Sequence, residues 1–198
     1  MLLEKINKCE LCKDLLEIKC DDLFINKFHE KYPALGKSYG VGNKNAKILI
    51  VGLSPSYHRC LTAKELHPFN FKTQIQENVG SGKIMYDCMR KCNINFDDVY
   101  ITNLFKCSFL EDKNNYTSDH LNNCIKFLKE EIETINPKII ILLGKSVSKY
   151  FRQSEILKEK NIRTFDLFHP AYIQRNYSML NKYLEQWKNI ERVIKECY

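Results

Sequence analysis

The chain has 198 residues, of which 44% are hydrophobic and 12% aromatic; this excludes an intrinsically disordered protein and is enough for one domain with a buried core. No apolar run approaches the roughly 20 residues that span a membrane, and the start lacks a signal peptide, so we expect a cytoplasmic protein without a membrane partner. A net charge of +7, from 31 Lys and Arg against 24 Asp and Glu, favours a polyanionic partner.

Nine cysteines are many for a cytoplasmic chain, and outside secreted proteins they indicate ligation rather than disulfide bonds. The CxxC motif formed by Cys9 and Cys12 fits zinc, redox or iron–sulfur chemistry equally well. A mixed helical pattern continues beyond this motif. We therefore predict an N-terminal arm, residues 1–38, that a metal site attaches to a single domain spanning residues 1–198.

The first half of the chain predicts two strands. Residues 39–46 form a turn-rich lead-in to the strand Lys47–Val51, whose continuous apolar run is typical of a parallel strand that is buried on both faces. The elements that follow are a long polar loop, a helix and a second strand, at residues 56–80, 81–92 and Val99–Thr102.

The second half repeats the order of helix and strand. Thr117 offers an N-cap for an amphipathic helix that ends before Pro137. Two strands, 138–143 and 164–168, and a helix after each of them complete the chain. This alternation predicts a three-layer α/β/α fold with a central four-stranded parallel sheet.

Polar residues follow three of the four predicted strands. Ser54 follows the first strand, Asn103 the second and His169 the fourth. Because ligands of such sheets bind beyond the carboxyl ends of the strands, we expect these side chains to share a site. Simpler interpretations stay open: a turn residue at Ser54, a cap at Asn103, and a structural histidine before a proline at His169.

Four segments of the chain resemble the iron–sulfur uracil-DNA glycosylases of families 4 and 5, in the order that those enzymes have. They are Gly40–Ala46, Tyr100–Cys107, Ile135–Lys145 and His169–Arg175. The resemblance implies the uracil-DNA glycosylase fold and a monomeric, monofunctional enzyme that hydrolyses uracil from DNA and so initiates base excision repair. DNA that contains uracil would be its partner.

The resemblance also implies a role for each strand end. Asn103 would read the uracil edge by donating to O4 and accepting from N3–H, and His169 would donate to O2 as charge develops there. Ser54 could hold a water molecule but is a weak base. An aromatic side chain would stack on the base; Phe69 is the candidate and Phe71 its competitor. The other substrate-binding residues that the resemblance implies are Gly52, Leu53, Pro55 and Ser56.

The last segment would contact DNA. Pro170 fixes a turn whose following backbone N–H groups could bind a phosphate, and Arg175 adds a positive charge. Tyr172 or Ile173 would be the wedge that fills the gap left by the flipped base.

The first strand end departs from part of the family. Leu53 stands where family-4 enzymes have a Glu, although family-5 enzymes also have Leu at that position. Two alternatives therefore stay open. One is a glycosylase for hypoxanthine, xanthine or a modified uracil; the other is an iron–sulfur DNA-binding protein that has lost catalysis.

Four of the nine cysteines match the cluster ligands of the family. The resemblance implies a structural [4Fe–4S] cluster, which four thiolates from two distant segments suit. Zinc is the alternative occupant, since tetrahedral sulfur suits it as well. The implied ligands are Cys9, Cys12, Cys107 and Cys124.

Overall fold

The computed structural model describes residues 2–12, 40–56, 75, 78–108, 115–157 and 161–197. The aromatic candidates Phe69 and Phe71 lie outside these ranges, as do most of the predicted arm and of the long polar loop. None of the helices within the described ranges combines the length and the apolar character that crossing a membrane requires.

Five strands form one sheet. They are β1 (Val41–Gly42), β2 (Ile48–Gly52), β3 (Val99–Asn103), β4 (Ile139–Leu143) and β5 (Arg163–Leu167). Their order across the sheet is β1-β3-β2-β4-β5. Strands β2 to β5 run parallel to their neighbours, as the sequence predicts, whereas β1 pairs antiparallel with β3.

Strand β1 makes the sheet one strand wider than the predicted four. Its two residues lie in the segment that the sequence indicates as a turn-rich lead-in, and two residues are too few for a period-two pattern. Gly42 has a φ of +121°, and a Cβ at this position would overlap the carbonyl oxygen of Val99. The predicted fold class is confirmed, with an antiparallel strand added at one edge.

Helices cover both faces of the sheet and give the predicted three layers. They are α1 (Leu2–Asn7), α2 (Gly80–Lys91), α3 (Ser118–Ile135), α4 (Lys145–Gln153), α5 (Pro170–Arg175) and α6 (Leu180–Cys197). Helices α3 and α4 pack on one face, and α2, α5 and α6 pack on the other.

The central strands β2 and β4 are buried along their whole length. Successive side chains point to opposite faces, so that Leu49 packs in the layer of α3 and α4 while Ile50 packs in the layer of α2 and α6. Burial on both faces explains why these strands read as continuous apolar runs rather than alternating ones.

The ends of α3 are those that the sequence predicts. The hydroxyl of Thr117 accepts from the backbone N–H of His120 at 3.3 Å, and the His120 Nδ1 accepts from the Thr117 N–H at 3.0 Å. Asn136 ends the helix in the left-handed conformation, φ 50°, directly before Pro137. Helix α3 therefore presents a defined buried face to the sheet, and that face carries Glu131.

Candidate active site

The carboxyl ends of β2 and β3 stay paired beyond the strands themselves. Gly52 lies opposite Asn103 in the register of this parallel pair. The backbone N–H of Leu104 donates to the Gly52 carbonyl at 2.9 Å, and that of Phe105 donates to the Leu53 carbonyl at 2.8 Å. The segment that follows Asn103 is thereby fixed against the segment that follows β2.

The carboxyl ends of β4 and β5 are joined in a similar way. The backbone N–H of Gly144 donates to the carbonyl of Leu167 at 2.8 Å. Gly144 has a φ of +95°, and a Cβ built there would lie 3.2 Å from the Cβ of His169. The turn from β4 into α4 therefore passes directly against the histidine that follows β5.

A pocket of about 470 Å³ lies where these strand ends meet. Its lining includes the predicted site residues Leu53, Ser54, Pro55, Ser56, His169 and Arg175. It also includes Gly144, Lys145 and Ser146, which the sequence-based prediction did not assign to the site. These three residues follow a buried strand just as the predicted ones do, and that position is the signal that identifies them.

His169 is half-buried and caps the N-terminus of α5. Its Nδ1 accepts a hydrogen bond from the backbone N–H of Ala171 at 3.1 Å, so the neutral ring carries its proton on Nε2. Burial, with a smaller effect from the positive charge of Arg175, lowers the pKa of His169 to about 4. At neutral pH this side chain is an uncharged hydrogen-bond donor.

Asn103 lies at the strand end next to this pocket but is not among the described residues that line it. The residue is only 2% exposed. The backbone carbonyl oxygen of Asn103 accepts a hydrogen bond from the Nζ of Lys106 at 2.7 Å. Lys106 is 1% exposed, and the sequence gives no sign of this burial because lysine is normally a surface residue.

Of the two predicted wedge residues, only one faces outward. Tyr172 is 39% exposed, and its ring lies 5.7 Å from that of Phe168. Ile173 is completely buried in the core formed with α2 and α6. The prediction of Ile173 as a DNA contact is therefore wrong for this structure, since adjacent residues of a helix point about 100° apart and this one points inward.

Backbone N–H groups after Pro170 are satisfied within α5. The N–H of Ala171 donates to the ring of His169, and the N–H of Tyr172 donates to the His169 carbonyl at 2.9 Å. Pro170 itself is buried at the first turn of the helix. The predicted phosphate contact through these N–H groups is therefore not available here, and of the predicted DNA contacts the side chains of Tyr172 and Arg175 remain.

The four predicted cluster cysteines lie in one region of the molecule, where Cys9 and Cys12 are both close enough to Cys124 for a charge on either to raise the pKa of its thiol. Cys12, Cys107 and Cys124 belong to the same buried cluster of side chains. Asn123 donates to the Cys12 Sγ at 3.6 Å, and the backbone N–H of Lys106 donates to the Cys124 Sγ at 3.5 Å. Burial raises the pKa of the Cys124 thiol to about 11, and nearby Lys106 opposes this effect.

The side chains themselves show how far these residues fit a metal group. Within the described ranges, no group of three or more His, Cys, Asp and Glu side chains has an arrangement that could hold a metal ion. The donor set is nevertheless four thiols, the set that commonly holds a [4Fe–4S] cluster. In addition, the hydroxyl of Ser108, next to Cys107, is buried and has no hydrogen-bond partner among the described residues. The chemistry of the donors fits a cluster, although the geometry of ligation is not formed.

The fold and this pocket define the class to which the chain belongs. The family model of the uracil DNA glycosylase superfamily matches residues 39–191. Because this match covers most of the chain, the chain belongs to the uracil-DNA glycosylase superfamily. The resemblance found in the sequence is thereby confirmed.

The chain is similar to individual relatives of two types within the superfamily. The type-5 uracil-DNA glycosylase of Pyrobaculum aerophilum is 26% identical over 156 residues, which cover 70% of this chain and 67% of that protein. The type-4 uracil-DNA glycosylase of Thermotoga maritima is 29% identical over 153 residues, 70% of this chain and 72% of that protein.

A solved structure supports the fold. The crystal structure of wild-type Pedobacter heparinus SMUG2 aligns with a TM-score of 0.52 and 15% sequence identity, and the alignment covers 90% of this chain and 86% of that one. At this identity the likeness concerns the fold alone.

Proposed function

We propose that this chain is a uracil-DNA glycosylase that hydrolyses the bond between uracil and deoxyribose in DNA. The observation that carries the proposal is His169, a neutral donor with its proton on Nε2, in a pocket at the carboxyl edge of the sheet. Membership of the superfamily and the names of the type-4 and type-5 relatives support the same reaction.

In the proposed reaction, the bond between N1 of uracil and C1′ of deoxyribose breaks, and its electron pair leaves with the base. Negative charge builds on O2, to which Nε2–H of His169 donates. Water adds to C1′ of the oxocarbenium-like sugar, and the proton that the water loses ends on the departing uracil. The products are free uracil and an abasic site.

The leaving base, rather than the attacking water, is what this pocket is suited to stabilise. Among the described residues that line it there is no carboxylate, and Leu53 and Ser54 cannot act as strong bases. The lining does include the positive side chains of Lys145 and Arg175. We propose that these charges and the His169 donor stabilise the uracil anion and the flanking phosphates.

Base recognition and extrusion are assigned to two further residues. Asn103 would distinguish uracil from cytosine, whose edge presents the opposite pattern of donor and acceptor. Tyr172 is an exposed aromatic residue between His169 and Arg175, which line the pocket. It would fill the space that the flipped base leaves in the duplex.

The experiment that tests the function measures the release of free uracil from a single-uracil oligonucleotide. We expect stoichiometric uracil and an alkali-labile abasic site, and no release from the matched oligonucleotide with cytosine. Oligonucleotides with hypoxanthine and xanthine are run in parallel. Release from those alone would replace the proposed substrate, and release from none of them would leave a DNA-binding protein without glycosylase activity.

We also propose that Cys9, Cys12, Cys107 and Cys124 hold a structural [4Fe–4S] cluster. When bound, such a cluster would link the N-terminal segment to the segment after Asn103. The shared location of Cys12, Cys107 and Cys124 and the sulfur-only donor set support this assignment.

Protein purified without oxygen should therefore be brown and contain iron and acid-labile sulfide in about equal amounts. Replacing Cys124 by Ser should remove the colour. Replacing Cys88 by Ser, a buried thiol of α2 in the opposite layer, should preserve it. Colourless protein with zinc in place of iron would contradict the cluster.

A further inference from the structure

We propose that Lys106, neutralised by Glu131, is the positioning residue that fixes Asn103 for base recognition. This inference rests on the proposed function, in which Asn103 reads the uracil edge. It assigns a role to a buried ion pair that the proposed chemistry does not otherwise use.

Lys106 makes three short contacts through one nitrogen. Its Nζ donates to the carboxylate of Glu131 at 2.6 Å, to the hydroxyl of Thr102 at 2.8 Å and to the backbone carbonyl of Asn103 at 2.7 Å. An ammonium group has three N–H donors, so all of them are used. The geometry leaves Lys106 no freedom to bind anything else.

Glu131 completes the network from helix α3. The hydroxyl of Thr102 lies 2.9 Å from both oxygens of the Glu131 carboxylate, and the backbone N–H of Gly40 donates to this carboxylate at 3.3 Å. Lys106 and Glu131 are each 1% exposed. The network therefore joins α3, β3 and Gly40, which directly precedes β1, inside the protein.

A buried ion pair is a costly way to obtain stability alone. Apolar residues of similar volume commonly stabilise a core as well as a buried ion pair does or better, because two charges lose their hydration. What apolar residues cannot do is hydrogen-bond a carbonyl. The contact of Lys106 Nζ with the Asn103 carbonyl is therefore the feature of this network that calls for a role beyond packing.

That contact completes the fixation of one peptide unit. The carbonyl of the Asn103–Leu104 peptide accepts from Lys106, while its N–H, on Leu104, donates to the Gly52 carbonyl at 2.9 Å. With both ends held, the peptide plane cannot rotate, and the direction in which the Asn103 side chain leaves the backbone is set. A side-chain amide that recognises the uracil edge by hydrogen bonds needs such preorganisation, since a misplacement of about 1 Å can lower a rate roughly 100-fold.

The test replaces the network by apolar residues in the triple variant Thr102→Val/Lys106→Met/Glu131→Leu. This variant leaves no buried charge unpaired, so we expect it to melt within a few degrees of the wild type. Without the Lys106 contact, single-turnover release of uracil should fall about 100-fold. Inhibition by free uracil should weaken as well, while affinity for an oligonucleotide without uracil should not change.

A matched control comes from the neighbouring residue of the same helix. Glu130 pairs with Lys5 at 2.8 Å, but this pair lies at the surface. The variant Lys5→Met/Glu130→Leu should release uracil at the wild-type rate. If the triple variant does not fold, Lys106→Gln/Glu131→Gln makes the same comparison, because a Gln side chain at 106 is too short to reach the Asn103 carbonyl.

The outcomes separate this inference from the proposed function. Wild-type protein that releases uracil, with a folded variant that releases it equally fast and is inhibited equally by uracil, would overturn the positioning role and leave the function standing. A slower variant with unchanged inhibition by uracil would also overturn it, because base recognition would be intact. Wild-type protein that releases no uracil would overturn the function and this inference with it.

Discussion

His169 combines two properties at the scale of a single residue: a fixed tautomer and a low pKa. The first comes from the Ala171 N–H, which occupies Nδ1, and the second comes from burial and from Arg175. The hydrogen bond from Ala171 fixes the proton of the neutral ring on Nε2, where it can be donated, and the low pKa keeps the ring uncharged. A charged imidazolium is thus not required for the proposed stabilisation of the uracil anion.

Replacing His169 by Ala should lower single-turnover cleavage about 100- to 1000-fold, the usual cost of removing one preorganised donor to a developing anion. Binding of uracil-containing DNA, measured by fluorescence anisotropy, should change little. Ser54→Ala should cost roughly tenfold or less, because a serine is a poor base. The assignment fails if Ser54→Ala abolishes cleavage and His169→Ala leaves it intact.

The pH dependence follows from the same residue. Because the pKa of His169 is lowered to about 4, its neutral form persists well below the ordinary histidine pKa of about 6.5. Cleavage should therefore show no histidine transition near pH 6.5. A rate profile with its midpoint near pH 6.5 would contradict this.

The free energy of unfolding should also depend on pH through His169. The unfolded chain protonates this histidine near pH 6.5 and the folded chain only near pH 4, so the unfolded state binds more protons between these values. The stability that neutral His169 contributes is complete above about pH 6.5 and is lost as the pH falls towards 4. Thermal melting across this range, compared with His169→Gln, measures the contribution.

At the scale of elements, the site depends on how strands turn into helices. Strand β4 reaches α4 through Gly144, whose φ of +95° suits glycine and whose Cα lies against His169. Its φ of +95° and ψ of 157° lie in a region that is essentially restricted to glycine, so Gly144→Ala should lower the free energy of unfolding by on the order of 1 to 3 kcal/mol and displace His169, and cleavage should fall as well. Gly80→Ala is the control, since its φ of +83° is also positive but it does not line the pocket. Equal activity losses in both variants would argue against a specific contact.

The sequence predicts most of these elements because their patterns are long. Strand β2 has four consecutive apolar residues before Gly52, β4 has five, and α3 carries recognisable signals at both ends. Strand β1 was not predicted, since two residues carry no periodicity. The wedge assignment failed at Ile173 for a related reason: in a helix of six residues, the sequence does not show which side faces the core.

The sequence indicates site positions where a side chain has its own chemistry. Ser54 and His169 follow strands and line one pocket, as expected from that position, whereas Asn103, which also follows a strand, is not among the described residues that line it. Gly144 was missed because its contribution is the absence of a side chain, and Lys106 because its burial depends on Glu131, distant in the sequence. The roles of the site residues, the single domain, the monomeric state and the cytoplasmic location stay predictions.

At the scale of the whole molecule, the net charge of +7 predicts that DNA binding depends on salt. The logarithm of the affinity should fall linearly and steeply with the logarithm of salt concentration. Lys145→Ala and Arg175→Ala should each reduce this slope by about one, as expected for the loss of one phosphate contact. Lys188→Ala, whose side chain pairs with Glu185 on α6, should leave the slope unchanged. Binding that is insensitive to salt would exclude DNA as the partner.

The edges of the sheet have a consequence for behaviour at high concentration. An unpaired edge strand can recruit a strand from another molecule and start aggregation. Here β1 occupies the outer side of β3, and β5 presents an exposed Arg163 and Asp166 at the opposite edge. The edge strand on one side thus has only two residues and the one on the other side carries exposed charges, so we expect that the apolar centre of the sheet does not act as a template for fibrils as the protein accumulates.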